Sequence, residues 1–99
     1  MTEDESRARV VRLLAEHRSV LFSFIYTAVR DYDVAEDVFQ EVSVAVCESY
    51  AAFQPGSSFG AWAREIARRR ILAQWRAEKR FPALLSDEAL GLVEAGFAE

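Results

Sequence analysis

The sequence predicts an all-α fold: a compact bundle of three main helices over about 6–30, 33–52 and 59–79, followed by a short C-terminal helix or linker over about 86–97. Three observations predict it. Apolar residues recur at intervals of three and four over long stretches, and no stretch alternates as a strand does. Punctuation is sparse, with four Gly and two Pro in 99 residues, which favours long helices over many short strands. The apolar fraction of 52%, with 12% aromatic, is enough for one modest core and argues against disorder.

In the first helix Val10, Leu13, Leu14, His17, Leu21, Phe24, Ile25 and Ala28 form one stripe. Val11, Phe22 and Val29 lie off it, so this helix should touch neighbours on more than one side. "DYD" interrupts at residues 31–33. Asp33 is placed to cap the second helix, with Glu36 three residues on completing a capping-box-like start. There Ala35, Phe39, Val42, Val46 and Phe53 make an inner stripe, with Val38 and Ala45 beside it. Asp37, Gln40, Glu41, Val44 and Glu48 fall together on the opposite side.

"QPGSS" then breaks the chain. Pro55-Gly56 supplies turn chemistry, and Ser57 or Ser58 can cap the third helix. In that helix Phe59, Trp62, Ala63, Ile66 and Ala67 are the expected inward residues. Trp62 reads as core, and Trp75, between Gln74 and Arg76, as an exposed ring. Pro82 ends this helix by disfavouring helical geometry at Phe81. Ser86 can cap the final segment, whose early acids suit a helix dipole and whose Gly91 and Gly96 weaken it.

Charge is segregated. Residues 31–58 carry six acids and no base, whereas residues 59–80 carry six Arg and Lys79 against Glu65 and Glu78. The net charge of −4 therefore conceals one acidic and one basic surface. The acidic stripe is either simply solvated or a docking face; Val44 in its middle fits a helix-on-helix contact with a basic partner. The basic helix is either a solvated face or a phosphate-binding one. Two acids are too few to pair seven bases, and arginines interleaved with aromatics suit single-stranded nucleic acid.

Enzyme chemistry finds no support. No Gly-rich phosphate loop, HExxH, GxSxG or Cys/His metal spacing occurs, so no catalytic residue, metal or cofactor is expected. His17, alone on an apolar stripe, reads as structural. Cys47 cannot pair internally and reads as an inert thiol in a reducing compartment. The charged start "MTEDESRARV" is unlike a signal peptide, and no apolar run is long enough to span a membrane, so a cytoplasmic protein without membrane contact is expected.

"DVAEDVFQEV" followed by "F-x-PG-x-x-F-x-x-WAREIAR" resembles region 2 of bacterial RNA polymerase sigma factors of the sigma-70 family, in the extracytoplasmic-function (ECF) class. Asp33, Ala35, Glu36, Asp37, Gln40, Phe59, Trp62, Ile66, Ala67 and Arg68 fall on the family pattern in order and at its spacing. One ECF subgroup carries the "F-x-PG" loop, Ala after the Trp, and an "SDE"-type segment beyond the basic helix, as here. The resemblance covers residues 8–80 well and the tail loosely. Arg69 stands where many members have Asn, and Ala73 where many have Asp; Arg69 adds charge in place of a base-reading amide.

The resemblance implies a transcription initiation factor and not an enzyme. Asp37, Gln40, Glu41, Val44 and Glu48 would bind the β′ clamp helices of the RNA polymerase core. The loop, through Gln54, Ser57 and Ser58, would take a flipped non-template base of the promoter −10 element, with Phe53 and Phe59 at the rims of its pocket. Arg64, Arg68, Arg69, Trp75, Arg76, Lys79 and Arg80 would complete the DNA contact. An anti-sigma factor is a further expected partner. Residues 1–82 would form the region 2 domain and 83–99 an acidic linker or short helix that folds back on the basic helix. The helix-turn-helix that reads the −35 element is missing from these residues, and we expect the chain to be part of a longer factor. The alternatives are a helical protein-interaction module, or a generic nucleic-acid-binding bundle without a polymerase partner.

Overall fold

The computed structural model describes residues 2–78 and 87–97. Four helices follow one another: α1 (Glu3–Val29), α2 (Tyr32–Ser49), α3 (Phe59–Glu78) and α4 (Asp87–Ala95), with a single 3-10 turn at Tyr50–Ala52. The all-α bundle expected from periodicity is the fold observed.

Helix α1 begins earlier than its apolar stripe. Thr2 accepts the Glu5 N–H at 3.1 Å, and Glu3, Asp4 and Glu5 sit at the positive end of the dipole. It stops at Arg30, which takes the left-handed conformation (φ 59°) and donates its N–H to the Tyr26 carbonyl at 2.7 Å. A non-glycine residue there costs on the order of 1–2 kcal/mol, which the packed hairpin must offset. That reversal resets the second helix. Asp31, not Asp33, is its N-cap, accepting from the Val34 N–H at 3.0 Å. Asp33 lies inside the first turn, so the expected capping box does not form; only Arg30 and Asp31 separate two long helices.

Four contacts give the directions. His17 meets Phe59 near the start of α3, and Ala28 meets Trp75 near its end, so α1 and α3 run parallel. Tyr26 meets Tyr32 and Arg18 lies over the Phe39 ring further along α2, so α2 returns antiparallel to α1. The shared core holds Leu21, Phe24 and Ile25 from α1, Val38, Val42 and Val46 from α2, and Ala63, Ala67 and Ile71 from α3. Each fully buried large apolar side chain contributes about 1.5–3 kcal/mol relative to exposure. The small residues Gly60, Ala63 and Ala67 on the buried face of α3 let its backbone approach α1 and α2. Trp62 and Ile66, expected inside, are half-buried at its margin.

Trp75 corrects the expectation of an exposed ring. It is 7% exposed, and its indole N–H donates to the Ala28 carbonyl at 3.2 Å. That carbonyl is one of the last four of α1, which lack partners within the helix, so the indole satisfies an orphan acceptor while its rings fill the core. Gln74 and Arg76 flank it in sequence but, a helical step of about 100° away on either side, do not share its face.

Helix α4 packs on α1 and α3. Leu90 is fully buried, Phe97 lies 6.0 Å from Phe24, and Glu94 reaches two arginines of α3. The acidic tail thus folds back on the basic helix. The Ser86 cap, Pro82 and the end of the third helix lie outside the described residues. Among those described, no helix is long and apolar enough to cross a membrane.

Candidate interaction surfaces

The inward set Ala35, Val38, Phe39, Val42 and Val46 anchors α2 and turns its other face outward. Asp37, Gln40, Glu41, Val44 and Glu48 are all exposed there, and Val44 is 58% exposed, a large apolar side chain in water among carboxylates. Arg70 of α3 borders the same groove, which is lined by Asp37, Gln40, Glu41 and Val44. Sequence reasoning assigned Arg70 to neither surface; its place is set by how α3 lies beside α2, which periodicity within one helix does not give.

The second surface is the connection between α2 and α3. Phe53 closes the 3-10 turn by donating its N–H to the Tyr50 carbonyl at 3.0 Å. Ser57 donates both its N–H, at 3.2 Å, and its hydroxyl, at 2.6 Å, to the Gln54 carbonyl. Pro55 fits the fixed φ of the first central turn position, and Gly56 supplies the left-handed second one (φ 92°). Ser58 then caps α3, accepting from the Ala61 N–H at 3.1 Å. The loop is pinned below by aromatic contacts: Phe53 lies 5.1 Å from Trp62 and 5.8 Å from Phe59, and Phe59 lies 5.1 Å from His17. His17 is half-buried, with Nδ1 2.9 Å from the Leu13 carbonyl, in the structural role its position suggested.

Between this loop and α1 lies an open cavity of about 360 Å³, walled by Tyr50, Phe53, Phe59 and Leu13, with Ser57 and Arg9 among its polar lining. Gln54, Ser57 and Ser58 are exposed around the loop. Ser6, Arg9 and Leu13, spaced by three and four along one face of α1, were not anticipated as part of this site. Their spacing could have suggested a shared face, but not that the face meets the loop.

The arginines of α3 divide. Arg69 is exposed and lies 3.6 Å from Glu65; Arg70 and Arg76 are exposed with no ion pair among the described residues. Arg64, expected to hold phosphate, is instead 7% exposed in its side chain, with Glu94 at 3.8 Å. Its Nε has no hydrogen-bond partner. Arg68 is half-buried and lies 3.6 Å from the same carboxylate. The cause is α4, whose acid takes up two charges that the α3 sequence alone leaves uncompensated. Trp75 is inside the core, and Lys79 and Arg80 lie outside the described residues. No group of three or more His, Cys, Asp or Glu that could hold a metal occurs among the described residues.

The family model for sigma-70 region 2 matches residues 13–81, well over half the chain. The chain belongs to the sigma-70 region 2 family. A sigma-70 region 2 domain is a non-enzymatic part of a transcription initiation factor that meets the RNA polymerase core and promoter DNA. The match takes in most of α1, all of α2, the loop and α3; it encloses the α2 surface and the loop side of the cavity, while Ser6 and Arg9 of the cavity lie before it. No curated protein and no solved structure matches the chain.

Proposed function

We propose that this sigma-70 region 2 domain is of the ECF class and works with two faces. The α2 stripe of Asp37, Gln40, Glu41, Val44 and Glu48, bordered by Arg70, docks on the β′ clamp helices of the polymerase core. The observation that carries this is the exposed Val44 ringed by acids. A lone valine in water gains from being covered, on the order of 1–2 kcal/mol, while the acids around it select a basic partner and speed encounter.

The loop cavity takes one flipped base of the non-template strand of the −10 element. Its support is an open, aromatic-walled space of single-base scale beside exposed Gln54, Ser57 and Ser58. Unstacking a base costs a few kcal/mol, which stacking on rings and backbone contacts offset. Arg69 and Arg76 remain to meet the strand's phosphates, joined by Lys79 and Arg80 of the basic segment. Arg64 and Arg68 are held by Glu94 and join only if α4 leaves. An anti-sigma factor would compete for the same exposed faces, and the site of action is the cytoplasm, where the polymerase is. No bond is made or broken in the domain; it selects where the polymerase starts.

The polymerase face is tested by pull-down with core enzyme. Asp37→Arg with Gln40→Ala should weaken binding at least tenfold and leave thermal stability within about 0.5 kcal/mol, since both side chains are exposed. Undiminished capture of the core by this variant would overturn the docking assignment.

A further inference from the structure

We infer that Arg9 of α1 is a specificity-determining residue of the loop cavity, selecting a base that presents two adjacent acceptors, guanine or cytosine, over adenine and thymine. The inference rests on the base-pocket reading of the loop and deepens it. Arg9 is the sole charged group among the described residues lining the cavity, whose walls are otherwise Tyr50, Phe53, Phe59, Leu13 and small loop residues. It is exposed, and its side chain makes no ion pair or hydrogen bond to any described residue, unlike Arg7 two residues earlier, which lies near both Glu3 and Asp4. The Ser57 hydroxyl proton is already given to the Gln54 carbonyl. Ser57 can therefore only accept, and Arg9 is the cationic donor among the described lining residues.

A guanidinium offers several N–H donors in a planar fork and no acceptor. A base held against the aromatic wall must turn an edge toward it. Guanine presents O6 and N7 side by side and can accept two parallel bonds. Adenine places its N6 amino donor beside N7, opposing one arm of the fork, and thymine flanks its N3–H with O2 and O4; an unpaired cytosine presents O2 and N3 side by side on its Watson–Crick edge and is the second base that fits. Arg9 lies in a different helix from the exposed α3 arginines, so base selection and phosphate holding are carried by separate elements.

The test uses the whole chain and fluorescence anisotropy with short oligo-dT strands carrying one central dG, dA, dC or abasic site. The wild type should bind the dG strand roughly tenfold more tightly than the dA strand. Arg9→Ala should remove that preference while retaining binding to oligo-dT, and Arg9→Lys should recover little of it, because a point charge cannot make the fork. Arg76→Ala should weaken all strands alike. Equal loss on every strand in Arg9→Ala would make Arg9 a phosphate contact and overturn the inference, as would a wild type that favours neither dG nor dC over dA. If the abasic strand binds as well as the others, the base pocket itself is wrong. If the abasic strand binds poorly but Arg9→Ala keeps the wild-type ranking, the pocket stands and the role of Arg9 falls.

Discussion

Trp75 shows how one side chain can serve two levels of structure. Its rings fill the space between α1 and α3, and its N–H closes the end of α1. Trp75→Phe keeps most of the apolar area but leaves the Ala28 carbonyl without this donor. The expected cost is about 1–2 kcal/mol, read as a fall in melting temperature of roughly 4–16 °C for a domain of this size. A variant as stable as wild type would mean that water or a shifted backbone satisfies the carbonyl. The neighbouring sequence, Gln74 and Arg76, argued for exposure, and it misled because burial is set by angular position on the helix and not by polarity of adjacent residues.

At the scale of the element, α4 acts through one carboxylate. Glu94 is 21% exposed and is the counter-charge for Arg64, which is almost wholly enclosed. Glu94→Ala should destabilise by on the order of 1–3 kcal/mol in denaturant unfolding, since it leaves a buried cation alone. Adding Arg64→Leu should recover part of that loss, because the uncompensated charge goes with it. A double variant less stable than Glu94→Ala alone would show that Arg64 contributes through its packing and not as one half of an ion pair. The loop has the opposite character. Its conformation is fixed by Pro55, Gly56 and the Ser57 bonds to Gln54, while its upper face makes few contacts and leaves the cavity open.

Over the whole molecule, the segregated charge resolves into an acidic α2 face and an exposed set of arginines, with α4 withdrawing two cations from the latter. Binding to single-stranded DNA should exceed binding to duplex, and should weaken with salt. Four phosphate contacts, from Arg69, Arg76, Lys79 and Arg80, predict a slope of log K against log salt of about −3. Truncation before α4, which removes Glu94 and uncovers Arg64, should steepen it. A salt-independent affinity, or a slope unchanged in that variant, would remove the electrostatic account of the α3 face. The pattern also explains why an overall acidic chain can meet a polyanion: a screening length of about 8 Å at physiological salt lets the two faces act nearly independently.

The helices, most of the inner stripes of α1 and α2, the turn at Pro55-Gly56 and the exposed α2 residues were legible in the sequence, because each depends on periodicity or local backbone chemistry within a single element; the α3 stripe was legible only at Phe59, Ala63 and Ala67. The family resemblance was legible for the same reason: its residues keep fixed spacing along α2, the loop and α3. Only the tertiary structure decided that Asp31 and not Asp33 caps α2, that Trp75 is core, that Glu94 neutralises Arg64 and Arg68, and that Arg70 and Arg9 border the two surfaces. Each of these depends on how one helix is rotated and placed against another. That placement is set by the summed packing of side chains distant in sequence, such as Phe24 on Phe97 or Ala28 on Trp75, and no spacing within one helix encodes it.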